Sequence, residues 1–337
     1  MQNSMNRINT ISEIDSNYDK EYQQANTSRQ SNQKNKSFHK QFFMLRNEVR
    51  SHRTSYSTSD SLYIGNYVNK KRNGRGKLIL ADQSYYEGNF KDGEFDGSGY
   101  LRTRNYTYKG QFTAGKKNGK GKLESFDTKS IYEGEFKNDK KEGYGIEKFK
   151  DGSIYKGYYS QDMKEGIGIL TLRKERNSSI FEGEFKKDKI WGKGKYIWDN
   201  DKQYEGEWEN NEISGFGILT EKNVKHVGYF SHDKKEGYGA SFYIDKKFAL
   251  SGKWVNDITE GVAVIFSLND KIGLNLNNND IKEEKIVIMK ESSIINSNLS
   301  EKEIKEIKAN NQDYINITKL FQEKFIKEYF KAQNISE

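Results

Sequence analysis

Between residues 63 and 263 the chain alternates aromatic and small residues in a fixed frame. The stretch Tyr132–Gly145, YEGEFKNDKKEGYG, shows it: an aromatic, a glycine two residues on, a second aromatic, a polar run, then Gly-x-Gly. Taking the first aromatic as position zero, the frame starts at Tyr63, Tyr86, Tyr108, Tyr132, Tyr155, Phe181, Tyr204, His226 and Leu250. Position two is glycine in all nine copies, from Gly65 to Gly252, and position four is always aromatic, from Tyr67 to Trp254. Position eleven is glycine from Gly74 to Gly261, and position thirteen is glycine until Ala263. These three columns hold 26 of the 30 glycines, so the glycines serve a backbone purpose.

Strand side chains alternate between faces, so positions zero, two and four share one face of a strand. Positions eleven and thirteen open a second strand with two bare spots. The six residues between, such as Lys137-Asn138-Asp139-Lys140-Lys141-Glu142, are polar and turn-like. The spacing predicts one β-hairpin per repeat, with a ring lying over a neighbouring repeat's glycines. A lone hairpin is marginal in water, so the hairpins must stack. The expected fold is all-β: an elongated single-layer hairpin solenoid over 61–268.

The flanks differ. Residues 1–60 are rich in Asn, Ser, Gln and Lys and read as a disordered tail. Within it Phe38, Phe42, Leu45 and Val49 fall on one helical stripe. Val262–Leu268 reads as a strand that could close the array's end, and residues 269–298 read as capping strands and linker, with Ile272–Leu276 and Lys285–Met289 as strand candidates. Ser300 and Glu303 form a capping box, and Ile304, Ile307, Tyr314, Ile317, Phe321, Phe325 and Tyr329 continue as a stripe. Amphipathic helices are therefore expected over 299–333, packed on the end of the array or on another protein. Phe38, Phe42, Leu45, Val49, Phe321, Phe325 and Tyr329 are the partner-docking candidates.

Composition narrows the function. Hydrophobic residues make up 33% of the chain and aromatics 13%, so Tyr and Phe carry the apolar surface. The absence of cysteine excludes disulfides, thiolate metal sites and cysteine nucleophiles. The four histidines lack metal-ligand spacing, and no phosphate-binding loop or nucleophile elbow occurs. The pairs Glu133/Glu135, Glu182/Glu184 and Glu205/Glu207 recur with the repeat on the face away from the rings, as a solvated surface does. No enzyme activity, cofactor or metal is expected. No apolar leader or span appears, which reads as an intracellular protein.

The net charge of +8 is uneven, basic over 61–120 and acidic over 201–280. Lys70, Lys71, Arg72, Arg75 and Lys77 in the first repeat, with Lys116, Lys117, Lys120 and Lys122 in the third, occupy equivalent positions. They are expected on one edge, where they suit anionic phospholipid or an acidic partner. Nucleic acid is not expected, because the rings are committed to the fold.

This frame resembles the MORN (membrane occupation and recognition nexus) repeat, with departures at His226, Leu250 and Ala263. The resemblance implies a meander of hairpins. It also implies several settings: lipid-linked junctophilins, plant phosphatidylinositol phosphate kinases, a histone methyltransferase extension, and the radial spoke head proteins of cilia. The residues after the array are too few for a kinase or methyltransferase domain. The expectation is a non-catalytic protein-binding scaffold of a cytoskeletal or ciliary assembly, in cytoplasm, cytoskeleton or cilium, with homo-oligomerisation open. The alternatives are a peripheral membrane tether for phosphoinositides and a regulatory partner of a lipid kinase.

Overall fold

The computed structural model describes residues 61–174, 177–268, 281–290, 292–325 and 327–328. The chain falls into two units, Met1–Lys140 and Lys141–Glu337, divided inside the repeat array. The first holds β1 (Leu62–Val68), β2 (Lys71–Ile79), β3 (Tyr85–Lys91), β4 (Glu94–Arg102), β5 (Tyr106–Thr113), β6 (Lys116–Ser125) and β7 (Ile131–Lys137). Each pairs antiparallel with its sequence neighbour, β1 with β2 through β6 with β7.

The second unit opens with β8 (Lys140–Lys148), β9 (Ile154–Ser160), β10 (Met163–Lys174), β11 (Asn177–Lys186) and β12 (Lys189–Ile197). It continues with β13 (Gln203–Glu209), β14 (Glu212–Glu221), β15 (Val224–Ser231), β16 (Lys234–Tyr243), β17 (Phe248–Val255) and β18 (Ile258–Leu268). β19 (Ile281–Lys290) and β20 (Ser293–Asn296) follow, and all thirteen pair antiparallel in chain order. The expected strands at Val262–Leu268 and Lys285–Met289 lie within β18 and β19. The segment Ile272–Leu276, and the candidates Phe38, Phe42, Leu45, Val49 and Tyr329, lie outside the described residues.

Eight of the nine repeats each lie within a single unit, and each is one hairpin, but its turn has two residues rather than six. Both take positive φ, as at Gln161 (53°) and Asp162 (72°), the type I′ geometry that matches strand twist. The flanking polar residues stay in the strands because a bulge absorbs the extra length. In the second repeat the register runs Gly88↔Gly99 and then jumps to Phe90↔Phe95. Position eleven is the left-handed residue of that bulge (Gly97, φ 73°), not a bare spot on a face.

The ring at position zero covers glycines of its own hairpin rather than a neighbour's. The pairing Gly88↔Gly99 sets two bare backbones side by side beneath Tyr86. A Cβ at Gly88 would stand 2.6 Å from the Tyr86 ring. Ring edges join one repeat to the next. Tyr86 meets Phe90 of its own hairpin and Phe112 of the next edge-to-face, each at 5.1 Å. In the second unit Tyr204 repeats this with Trp208 and Phe230, at 5.3 and 5.2 Å. Tyr86, Tyr108, Tyr155 and Tyr204 are fully buried, and burial pushes each hydroxyl's pKa up. Their hydroxyls donate to the position-three carbonyl at the bulge, as Tyr86 does to Asn89 (2.9 Å).

A second zipper runs through the turns. The N–H of the second turn residue donates to the position-nine carbonyl of the preceding repeat, and where that turn residue is Asp or Asn its side chain accepts the position-nine N–H. Asp162 N–H donates to Lys141 O at 3.1 Å, while Lys141 N–H donates to Asp162 Oδ1 at 2.7 Å. Asp188, Asn211, Asp233 and Asp257 make the same pair with their own preceding repeats. Ser292, beyond the ninth hairpin, exchanges the equivalent bonds with Thr259, so β19–β20 follow the repeat's rule.

The C-terminal segment forms α1 (Glu301–Asn310) and α2 (Gln312–Leu320), then a π-helical turn, Phe321–Phe325. The Ser300/Glu303 capping box is present, and Asn311 breaks the helix and caps α2.

Candidate interaction surfaces

The pleat gives the sheet two chemically different faces. Positions zero, two, four, nine, thirteen and fifteen share the ring face. Positions one, three, twelve and fourteen share the other. Rings and glycines are spent on the fold, so the variable chemistry sits at position nine and on the opposite face.

Position nine lies against the ring ladder. Phe95 stacks on Tyr86 at 3.7 Å, whereas Arg72, Lys117, Lys164 and Lys235 place a cation near the rings. Lys235 Nζ is 4.6 Å from the Trp254 centroid, and burial lowers its pKa. Lys141 forms an ion pair with Glu147 (2.6 Å), which also accepts from Tyr159 Oη (2.8 Å). These cations cover ring surface with their stems and offset part of the cost of desolvation by cation–π attraction.

On the opposite face, positions twelve and fourteen of one repeat lie across from three and one of the next. Lys77 faces Glu87 and pairs with it at 3.3 Å; Lys122 pairs with Glu133 at 3.4 Å. Lys193 and Lys195 lie opposite Glu207 and Glu205. The recurrent carboxylates are thus one half of a charge lattice. Burial raises the pKa of Glu182, opposed by the Lys195 charge.

The nine cations expected on one edge therefore occupy three places. Lys70, Lys71 and Lys116 are exposed at the turn edge. Arg72 and Lys117 lie beside the rings. Arg75, Lys77, Lys120 and Lys122 belong to the opposite face. The physical reason is the two-residue turn, which returns positions eight to fourteen to the pleat.

In the second unit the opposite face turns apolar in every repeat but the sixth, which keeps Lys193 and Lys195. Positions twelve and fourteen are Tyr144/Ile146, Ile167/Ile169, Phe216/Ile218, Tyr238/Ala240 and Val262/Val264. Over the last three pairs the helices dock. Tyr314, Ile317, Phe321 and Phe325 pack with Val227, Ala240, Phe242, Val262, Val264 and Phe266, all but two of the partners at positions one, twelve or fourteen. The Phe321 ring stacks on Phe266 at 3.9 Å. Tyr238 Oη donates to Asp313 (2.7 Å), and Lys324 Nζ donates to Tyr229 Oη (2.8 Å) over the Phe216 ring. Phe321 and Phe325 are fully buried here, so these two docking candidates are spent on the chain's own sheet. Over Tyr144–Ile169 no described helix lies, and Tyr158 and Ile180 are exposed. Sequence reasoning missed this switch, although the change from Arg75/Lys77 to Val262/Val264 in the same columns signals it.

His226 replaces tyrosine at position zero. It is buried between Phe230 and Trp254, with Nδ1 3.0 Å from Ser241 Oγ and Nε2 unpartnered among the described residues. Burial pushes its pKa well below the usual histidine range, with the Lys235 charge adding to the effect. No cluster that could hold a metal occurs among the described residues.

The MORN repeat family model matches residues 63–85, 86–107, 108–127, 132–154, 155–174, 181–202, 204–220 and 226–243. The chain belongs to the MORN repeat family. The matched frame is the ring, glycine and bulge pattern described above. The ninth hairpin lies beyond the match, where Leu250 and Ala263 replace the ring and the glycine, yet it keeps the same turn geometry. MORN repeats are generally protein- or membrane-interaction modules, and MORN proteins are typically non-catalytic. No described helix is long and apolar enough to cross a membrane.

Proposed function

We propose that this MORN chain is a non-catalytic scaffold of a cytoskeletal or ciliary assembly, and that it binds protein segments on the face opposite its rings. One observation carries the reading: the chain's own amphipathic helices already occupy that face over repeats seven to nine. The same columns are apolar and half-buried at Ile146, Ile167 and Ile169, beside exposed Tyr158. An amphipathic helix from a partner meets the same chemistry there.

The test is quantitative proximity labelling of the full chain against a Tyr158→Lys/Ile169→Lys variant. Loss of a defined set of cytoskeletal neighbours supports the proposal, and identical sets contradict it. The exposed turn cations Lys70, Lys71 and Lys116 support a second reading, a peripheral tether on anionic lipid. Phosphoinositide vesicles separate the two. Co-sedimentation lost on replacing those three lysines favours the tether.

A further inference from the structure

We propose that two copies of this chain pair through β1, antiparallel, about a two-fold axis at Gly65. β1 is the first strand of the repeat series, and its only described partner is β2. Its sequence, LYIGNYV, has no charge and no proline, the residues that normally guard a sheet edge. Every other position-four ring of the first unit is buried against the preceding repeat, as Phe90 is at 3% exposure. Tyr67, at the same position, has no preceding repeat and is 59% exposed. Leu62, Ile64 and Val68 are exposed with it.

The sequence of β1 is self-complementary in that register. Gly65 would face Gly65 of the second copy, reproducing the glycine–glycine pairing of Gly76 with Gly88 that joins the first repeat to the second. Tyr63 would face Tyr67, Leu62 would face Val68, and Ile64 would face Asn66. Cross-strand aromatic and aliphatic pairs stabilise such an edge-to-edge ladder, and both copies would satisfy their outward backbone groups. A two-fold contact of this kind closes at the dimer.

The experiment is light scattering on the full chain across a concentration series, with Tyr67→Lys and Val68→Lys as variants. Both side chains are exposed, so folding is expected to survive, and thermal melting checks it. The expected result is a concentration-dependent dimer lost in either variant. The chain has no cysteine, so Ile64→Cys/Asn66→Cys reports the register: the double variant should oxidise to a covalent dimer, and Ile64→Cys alone far more slowly. A monomer at every concentration, a dimer that survives both lysine variants, or growth beyond two copies would overturn the proposal.

Discussion

The Tyr86 hydroxyl donates to the carbonyl of Asn89, 2.9 Å away on the same strand, at the point where the bulge breaks the ladder between β3 and β4. One side chain therefore fills the space over two glycines and satisfies the carbonyl that the bulge sets apart. Replacing Tyr86 with Phe should cost about 1 kcal/mol, the loss of one hydrogen bond, while Tyr86→Ala should cost about 3–5 kcal/mol. Phe181, which stands at position zero in another repeat, indicates that the ring matters more than the hydroxyl. Urea denaturation of the two variants checks the order.

Gly99→Ala should also destabilise the hairpin, though less than loss of the ring. The new methyl would overlap the Tyr86 ring, whose Cζ stands 2.5 Å from its position, and that ring is pinned by Phe90 and Phe112. Overpacking of this kind costs about 1–3 kcal/mol or more. Gly99→Ala combined with Tyr86→Ala should recover part of the loss, read as a non-additive double-mutant cycle.

His226 predicts an acid-sensitive second unit. In the unfolded chain it takes up a proton near pH ~6.5, whereas the buried ring resists protonation. The unfolded state then binds more protons, so this contribution is complete above that pH and declines as pH falls below it. His226→Tyr should flatten the slope of stability between neutral and mildly acidic pH. A chain whose slope is unchanged by the substitution would contradict this assignment.

The turn zipper gives a local test. Asp162→Ala removes the acceptor for the Lys141 N–H and should cost about 1 kcal/mol, with added strain because the residue sits at φ 72°. Asp162→Asn should be nearly neutral, since Asn211 performs the same task at Ile190. Thermal melting distinguishes the two.

The hairpins, the aromatic ladder and the capping box were legible in the sequence because each depends on local periodicity. The bulge was not, because a glycine needed for positive φ and a glycine needed for close approach look alike: Gly97 is the first kind and Gly99 the second. That ambiguity lengthened the expected turn and gathered Arg72, Arg75 and Lys77 onto one edge. The docking of Phe321 on Phe266 was legible only as a pair of unpartnered stripes, because the contact joins residues 55 positions apart in the chain.

Acceptance of an amphipathic helix by the face opposite the rings can be measured by removing residues 299–337 and returning residues 299–329 as a free peptide, with binding followed by calorimetry. The array should keep its β circular dichroism, because the ring ladder and turn zipper of the repeats lie outside the removed segment. Saturable one-to-one binding is expected, and it should be lost with a Phe321→Asp peptide or a Val264→Asp array. A truncated array that remains folded and binds no peptide would contradict it.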